Sequence, residues 1–123
     1  MGREEDAQLN ILVTGGGGFL GSAVCRQLAA LGHRVTAFQR SPADHLTALG
    51  VRSIEGDITG PAGLEAAIAG CDAVIHTAAK AGIWGTWQEY WDTNAEGTKN
   101  VLDACRQHRV RRLIYTSTPS VVH

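Results

Sequence analysis

The sequence predicts an α/β fold in which a doubly wound parallel sheet carries helices on both faces. Short apolar runs alternate with segments of helical periodicity five times along the 123 residues. Four consecutive glycines lie at the first junction between such a run and a helical segment. Alternation of this kind implies right-handed βαβ crossovers, and therefore strands that all end at one common edge of the sheet.

The composition is that of a single globular domain. A length of 123 residues corresponds to one domain, and 44% hydrophobic residues exclude a disordered chain. Because 11 Lys and Arg are balanced by 12 Asp and Glu, we expect no basic surface for nucleic acid. The sequence shows no apolar run that could span a membrane, and residues 1–8 are charged, so we expect a flexible N-terminal tail and a cytoplasmic protein. The three separated cysteines predict reduced, buried, apolar side chains and no metal site.

The first half of the chain is predicted to contain three strands and two helices. An apolar run that stops at glycines is typical of a strand buried on both faces. After Gly18 apolar residues recur at helical spacing, and Gly32 is a predicted helix stop. In order, the predicted elements are a strand at Asn10–Thr14, a helix whose inward face carries Leu20, Val24, Leu28 and Leu31, a strand at Arg34–Gln39, a short helix over 43–50 closed by Gly50, and a strand at Arg52–Glu55.

The second half is predicted to contain two helices and two strands. Pro61 suits the first position of a helix, and Gly70 suits its end. In order, the predicted elements are a helix from Pro61 with Leu64, Ala67 and Ile68 facing inward, a strand at Ala73–His76, a long helix over 86–109 with Val101, Leu102 and Cys105 facing inward, and a strand at Arg112–Thr116.

The glycine cluster after the first strand predicts a dinucleotide site. Residues 14–21, TGGGGFLG, contain GxxGxxG at 15, 18 and 21 and GxGxxG at 16, 18 and 21. Glycines allow a tight turn and the close approach of a pyrophosphate, and the following helix offers free N–H groups. The alternative is a flexible turn, but the strand before and the helix after the glycines favour the nucleotide site. A Walker A loop is excluded because no Lys-Ser or Lys-Thr follows.

The end of the second strand predicts which nicotinamide cofactor binds. An NAD site usually has an Asp or Glu about 20 residues beyond the glycines to hold the ribose 2′-hydroxyl. This chain has Gln39-Arg40-Ser41 there, and an arginine can bind a 2′-phosphate through two charge-assisted hydrogen bonds. NADP(H) is therefore the favoured cofactor, and NAD(H) is the alternative. The alternative is that Arg40 is a solvated loop cation.

Three further strand ends carry candidate residues. Asp57 can accept from the adenine amino group while Ile58 packs on the ring, or Asp57 can be a turn residue. His76 is expected to be a hydrogen-bonded structural histidine. The small residues Ala78 and Ala79 that follow leave room for the cofactor to pass.

An aromatic cluster follows the fourth strand, and hydroxyl side chains follow the fifth. Trp84, Trp87, Tyr90 and Trp91 predict either a core or a loop that lines an apolar substrate pocket. Asn94 lies one helical turn after Tyr90. Residues 115–120, YTSTPS, place several hydroxyls where a nicotinamide would meet its substrate.

Five segments, in this order, resemble the extended short-chain dehydrogenase/reductase superfamily (NAD-dependent epimerase/dehydratase type): TGGGGFLG, GDI, VIHTAA, TNAEGTKN and LIYTSTPSVV. The KAGIWG stretch and YTSTPSVVH are most similar to the branch that holds 3β-hydroxysteroid dehydrogenases and bacterial 2-alkyl-3-oxoalkanoate reductases, the latter more closely. The resemblance extends from Leu9 to His123 and implies a Rossmann fold. It further implies a pyrophosphate turn of Gly15, Gly18, Phe19, Leu20 and Gly21, an adenine site at Asp57 and Ile58, a ribose contact at Ala78 and Ala79, hydrogen-bond support from Asn94, and a catalytic hydroxyl at Thr118 with Ser117 as its alternative.

The chain departs from that superfamily by lacking its YxxxK pair. Tyr90 is followed four residues later by Asn94, and Tyr115 by Pro119. We therefore expect residues 9–123 to be an NAD(P)-binding domain truncated before the YxxxK segment and the substrate-binding part, inactive alone and a possible homodimer at full length. The predicted function is the NADP(H)-binding portion of an oxidoreductase that reduces the keto group of an apolar 3-oxo acid. The alternatives are an NAD-dependent 3β-hydroxysteroid dehydrogenase and a non-catalytic dinucleotide-sensing module.

Overall fold

The computed structural model describes residues 8–77 and 87–116, and in this part every predicted element is present. The elements are β1 (Asn10–Thr14), α1 (Phe19–Ala30), β2 (Arg34–Gln39), α2 (Asp44–Thr47), β3 (Arg52–Glu55), α3 (Pro61–Ile68), β4 (Ala73–Thr77), α4 (Trp87–Gln107) and β5 (Arg112–Thr116). Strands β1, β2, β3 and β5 have their predicted bounds, β4 is one residue longer, and the helices differ from prediction by a few residues at their ends. The side chains of residues 61, 62, 87–94 and 116 lie outside the described part.

The five strands form one sheet in the order β3-β2-β1-β4-β5, and all the pairs are parallel. The chain first builds outward from β1 to β3 and then continues on the other side of β1 with β4. The strand order therefore reverses between β1 and β4. The registers place Thr14 opposite both Phe38 and His76, so that β1, β2 and β4 end level with one another. Ligands of such sheets bind outside this edge, at the reversal point.

Each face of the sheet has its own apolar core because neighbouring residues of a strand point to opposite sides. Ile11 and Val13 of β1 pack with α1 and α2, where Leu46 is fully buried. Leu12 packs on the other face with Phe38 and with α3 and α4. Coverage of both faces favours apolar residues at successive positions, and this explains the uninterrupted run of Ile11, Leu12 and Val13 in β1. None of the described helices combines the length and apolarity that crossing a bilayer requires.

Two leucines predicted to face inward are instead exposed. Leu31 is 70% exposed because α1 ends at Ala30, and Leu31 lies in the terminal turn with its N–H bonded to Gln27 O. Leu102 is 44% exposed. Its neighbour Val101 enters the core together with Ala104 and Cys105 of the same helix, and adjacent helix positions point about 100° apart.

The predicted helix stops and cysteine environments are largely confirmed. Gly32, Gly50 and Gly70 all have positive φ, as residues that follow a helix commonly do. Cys25 and Cys105 are buried, and burial raises the pKa of each thiol to about 11. The prediction that all three cysteines are buried is wrong for Cys71, which is partly exposed in the turn after α3.

Candidate functional site

The glycine loop, residues 15–18, connects the end of β1 to the first turn of α1. Gly15 has φ 71°, and its N–H donates to Phe38 O over 2.7 Å. The N–H of Gly18 donates back to Gly15 O over 3.0 Å. The second bond closes a tight turn, and the first fixes the start of that turn to the end of β2, at the sheet edge that is predicted to hold the ligand.

Three glycines of this region are required by the packing of the protein itself. A Cβ at Gly15 would overlap Thr77 Oγ1, and one at Gly16 would lie 2.5 Å from the Cβ of Ala37. A Cβ at Gly21 would overlap the carbonyl oxygen of Gly15. Since real Cβ atoms do not approach other atoms this closely, the strand, the loop and the helix can pack together only with glycine at these positions.

Gly18 is different, because the folded chain leaves room for a side chain there. The nearest atom to a Cβ at this position is Gly15 O at 3.5 Å, and the extended backbone of Gly18 suits any residue. Gly18 caps α1 without a side chain, and the first turn of α1 contains no acidic residue.

The first turn of α1 fits an anionic group. The N–H groups of Phe19, Leu20 and Gly21 are among those that no α-helix can satisfy internally. They add to the partial positive charge of the helix N-terminus. Open backbone N–H groups, open space at Gly18 and no competing carboxylate are the features that a pyrophosphate needs. The Phe19 side chain is 95% exposed beside them.

A buried polar network supports the loop from below. Thr77 Oγ1 donates to Thr14 O over 2.6 Å, and the N–H of Thr77 donates to Thr14 Oγ1 over 3.2 Å. His76 lies between Thr14 Oγ1, 2.6 Å from Nδ1, and Thr98 Oγ1, 3.1 Å from Nε2. Burial lowers the pKa of His76 to about 4, so the ring is neutral near pH 7. His76 is therefore the hydrogen-bonded structural histidine that the sequence predicts.

Arg40 and Asp57 come together at the ends of β2 and β3. Arg40 Nε lies 3.6 Å from Asp57 Oδ2, with 70% and 46% of the two side chains exposed. Asp57 Oδ1 accepts from the N–H and the hydroxyl of Thr59. These bonds, with a smaller contribution from Arg40, lower the pKa of Asp57. Asp57 is thus a turn residue as well as a partner of Arg40, and Arg40 is an ion-paired cation at the sheet edge.

Helix α4 holds the loop that carries Ile58, a contact that the sequence reasoning missed. Asn100 Nδ2 donates to Ile58 O over 2.8 Å, and a Cβ at Gly97 would overlap the Ile58 side chain. Ile58 is half-buried against this helix. The spacing of Gly97 and Asn100, three residues apart on one helical face, was the available signal.

Several predicted site residues cannot be placed against this geometry. Outside the described residues lie the tail 1–7 and Ala78, Ala79, Trp84, Ser117 and Thr118. Trp87, Tyr90 and Asn94 belong to the first turns of α4, and the structure describes their backbone only. Within the described ranges no group of three or more His, Cys, Asp or Glu side chains could hold a metal ion.

Known proteins resemble this chain over most of its length. It is 54% identical over 115 residues to the 2-alkyl-3-oxoalkanoate reductase of Stenotrophomonas maltophilia (strain K279a), covering 94% of the chain and 35% of the relative. It is 38% identical over 119 residues to a 3-beta-hydroxysteroid dehydrogenase of Mycolicibacterium neoaurum, covering 91% and 32%. The crystal structure of UDP-glucose-4-epimerase from Stenotrophomonas maltophila, with bound NAD and formylated UDP-arabinopyranose, matches with TM-score 0.80 and 28% identity over 93% of this chain and 38% of that one.

The chain thus spans about a third of the length of the curated relatives it matches. The model of the NAD dependent epimerase/dehydratase family matches residues 11–122. That match covers the glycine loop and every described strand except the first residue of β1. The Rossmann-like sheet and the family match agree, and the chain belongs to the NAD dependent epimerase/dehydratase family.

Proposed function

We propose that this chain is the NADP(H)-binding portion of an oxidoreductase that reduces the keto group of an apolar 3-oxo acid of the 2-alkyl-3-oxoalkanoate class. The observation that carries the nucleotide part is the glycine loop with the open first turn of α1 at the strand-order reversal. The substrate class is supported by the 54% identity to a reductase of that name. We propose residues 9–123 as its binding domain, and a cytoplasmic location and a homodimer for the full-length protein.

In this proposal the chain binds the cofactor along the sheet edge. Gly15, Gly18 and Gly21 shape the turn, and the N–H groups of Phe19 and Leu20 bind the pyrophosphate. The guanidinium of Arg40 binds the 2′-phosphate. Asp57 and Ile58 hold the adenine, Ala78 and Ala79 border the ribose, and Asn94 supports the hydrogen bonds of the active site.

The chemistry that the cofactor supplies when bound is hydride transfer to the carbonyl carbon. The Thr118 hydroxyl, or that of Ser117, donates a hydrogen bond to the carbonyl oxygen and holds it in place. Trp84, Trp87 and Tyr90 line the apolar pocket and exclude water. We assign the proton donor of this reaction to the tyrosine of a YxxxK pair, which residues 1–123 do not contain.

Replacing Gly18 by alanine is expected to weaken dinucleotide binding by about tenfold or more, because the methyl group occupies the space in front of the helix N-terminus. The fold is retained, since a Cβ meets nothing closer than 3.5 Å. Calorimetric titration with NADPH and thermal unfolding measure the two effects. Gly63→Ala is the matched control, as a Cβ there meets no atom within 4 Å. Unchanged affinity in Gly18→Ala would contradict the proposed pyrophosphate site.

Replacing Arg40 by aspartate is expected to weaken NADPH binding by about one to a few kcal/mol and to leave NADH binding nearly unchanged. The change removes a charge-assisted contact and adds repulsion toward the 2′-phosphate. Arg52→Asp is the control, because Arg52 is exposed at the amino end of β3, the opposite end of the sheet. Equal losses for NADPH and NADH would remove the 2′-phosphate assignment.

The activity is tested by mixing the complete protein with NADPH and 2-alkyl-3-oxoalkanoates and following the oxidation of NADPH. We expect turnover with long-chain substrates, and slower chemistry at unchanged cofactor affinity in Thr118→Val. If the protein shows no hydride transfer to any 3-oxo acyl or 3-ketosteroid substrate, the proposal is wrong.

An NAD-dependent 3β-hydroxysteroid dehydrogenase is the second candidate. It is favoured by the carboxylate of Asp57, which lies 3.6 Å from Arg40 and offsets the positive charge that would attract a 2′-phosphate. The 38% identity to a 3-beta-hydroxysteroid dehydrogenase supports the same candidate function. Tighter binding of NADH than of NADPH, together with oxidation of a 3β-hydroxysteroid, would select this candidate.

A further inference from the structure

The glycine loop has no side chains of its own, so its neighbours must hold it in shape. Its four glycines could otherwise populate many backbone conformations. Among the described residues, Ser22 is the one side chain that hydrogen-bonds the loop: its Oγ donates to Gly16 O over 3.0 Å. Ser22 is only 6% exposed, and it lies in α1 directly after Gly21.

The same hydroxyl contacts a histidine from a different segment. Ser22 Oγ lies 2.9 Å from His45 Nε2. A serine hydroxyl carries one proton, and the carbonyl oxygen of Gly16 can only accept one. The hydroxyl proton therefore lies in the hydrogen bond to Gly16 O. In the bond between Ser22 and His45, the donor must then be an N–H at Nε2 of His45. This proton count determines which ring nitrogen of His45 carries the hydrogen in the bond.

His45 is held by an anchored segment that also borders the loop. It lies in α2, five residues after Arg40. The residues that anchor this segment are Ala43 before it and Leu46 after it, and both are buried. A Cβ at Gly17 would lie 3.6 Å from the Cβ of Ala43, so that the loop and the start of α2 are neighbours. The bond to Ser22 therefore connects the segment that follows β2 with the turn that follows β1.

We propose that Ser22 and His45 form a clamp that positions the glycine loop for the pyrophosphate, with His45 as a positioning residue. This inference rests on the proposed dinucleotide site. The His45 N–H fixes the Ser22 hydroxyl, which fixes the Gly16 carbonyl, and with it the direction of the N–H groups at the start of α1. An orientation held before binding lowers the entropy lost when the ligand binds. The clamp acts on the pyrophosphate turn, and NADPH and NADH share this group.

The test compares two substitutions at His45 in the whole chain. His45→Leu removes the donor, whereas His45→Gln keeps an N–H that can reach Ser22. We expect His45→Leu to weaken both NADPH and NADH binding by roughly three- to tenfold, the value of one lost hydrogen bond. His45→Gln is expected to bind both within about twofold of the parent chain. Because His45 is an exposed residue, neither variant should fail to fold.

A second histidine provides the matched control. His33 Nδ1 accepts from the Leu9 N–H over 3.1 Å at the amino end of the sheet, away from the loop. His33→Leu should therefore lower the unfolding temperature and leave both affinities unchanged.

If His45→Leu binds like the parent chain, or if His45→Gln loses as much affinity as His45→Leu, the clamp is wrong. If the parent chain binds neither dinucleotide, the proposed function fails and the clamp fails with it. A loss confined to NADPH would also overturn it, because that pattern belongs to the 2′-phosphate.

Discussion

Replacing Gly21 by alanine is expected to destabilise the fold by about 3 kcal/mol, the upper end of what overpacking costs. The added Cβ would overlap Gly15 O and lie 2.7 Å from Gly15 C and 2.8 Å from Gly16 Cα. All three are backbone atoms, and Gly15 is held by its 2.7 Å bond to Phe38 O. Helix α1 would have to move away from the glycine loop and expose part of the core beneath it. Urea unfolding of the variant and the parent chain measures the loss.

Gly63→Ala is the control for this prediction too. Gly63 is an exposed residue of α3, and a Cβ there meets no atom within 4 Å. Alanine lowers the entropy of the unfolded chain and favours a helix, so the control should gain about 0.5–1 kcal/mol. An unfolding midpoint for Gly21→Ala equal to that of the parent chain would show that the close approach of helix and loop is absent.

Lowering the pH from 6.5 to 4 is expected to reduce the free energy of unfolding through His76 by about 3 kcal/mol, since each pKa unit corresponds to about 1.4 kcal/mol. The pKa of His76 falls from its ordinary 6.5 to about 4 in the folded chain because the ring is buried. Between these pH values the unfolded chain binds a proton that the folded chain does not. The stability is therefore fully present above pH 6.5 and is lost as the pH falls toward 4.

Comparison with His76→Asn isolates this effect, because asparagine does not titrate. The variant should start from a lower stability, since it cannot bridge Thr14 and Thr98, and should lose less as the pH falls. Asp57 does not interfere, because its pKa lies below the ordinary 3.8 and its contribution is lost only at lower pH. Identical pH dependence in the two proteins would show that His76 is accessible to protons in the folded chain.

The order and type of the elements could be predicted because they depend on local patterns. Short, mainly apolar segments bounded by glycine, proline or other turn residues are typical of strands, and β1, β2, β3 and β5 have their predicted bounds. The failures concern single positions. Leu31 and Leu102 match the apolar pattern, but the end of α1 and the angle at which α4 faces the sheet decide which side chains reach the core.

The candidate site was only partly predictable, for a related reason. The glycine motif between a strand and a helix can be recognised from neighbouring residues alone. The position of the loop and its individual glycines were therefore predicted. Nothing in the sequence connects Ser22 with His45, which are 23 residues apart, or His76 with Thr98, which are 22 apart. Arg40 and Asp57 were each predicted to contact the cofactor, but their 3.6 Å ion pair was not.

The sequence by itself therefore determined the α/β class, the strand and helix order, the glycine turn and the edge at which we propose that the ligand binds. Periodicity and turn chemistry are properties of neighbouring residues, so they can be recognised in the sequence alone. The tertiary structure alone decided which glycines the packing requires, which histidine is buried and neutral, and which side chains hold the loop. These depend on contacts between segments far apart in the chain, which only the parallel register of β1 with β2 and β4 brings together.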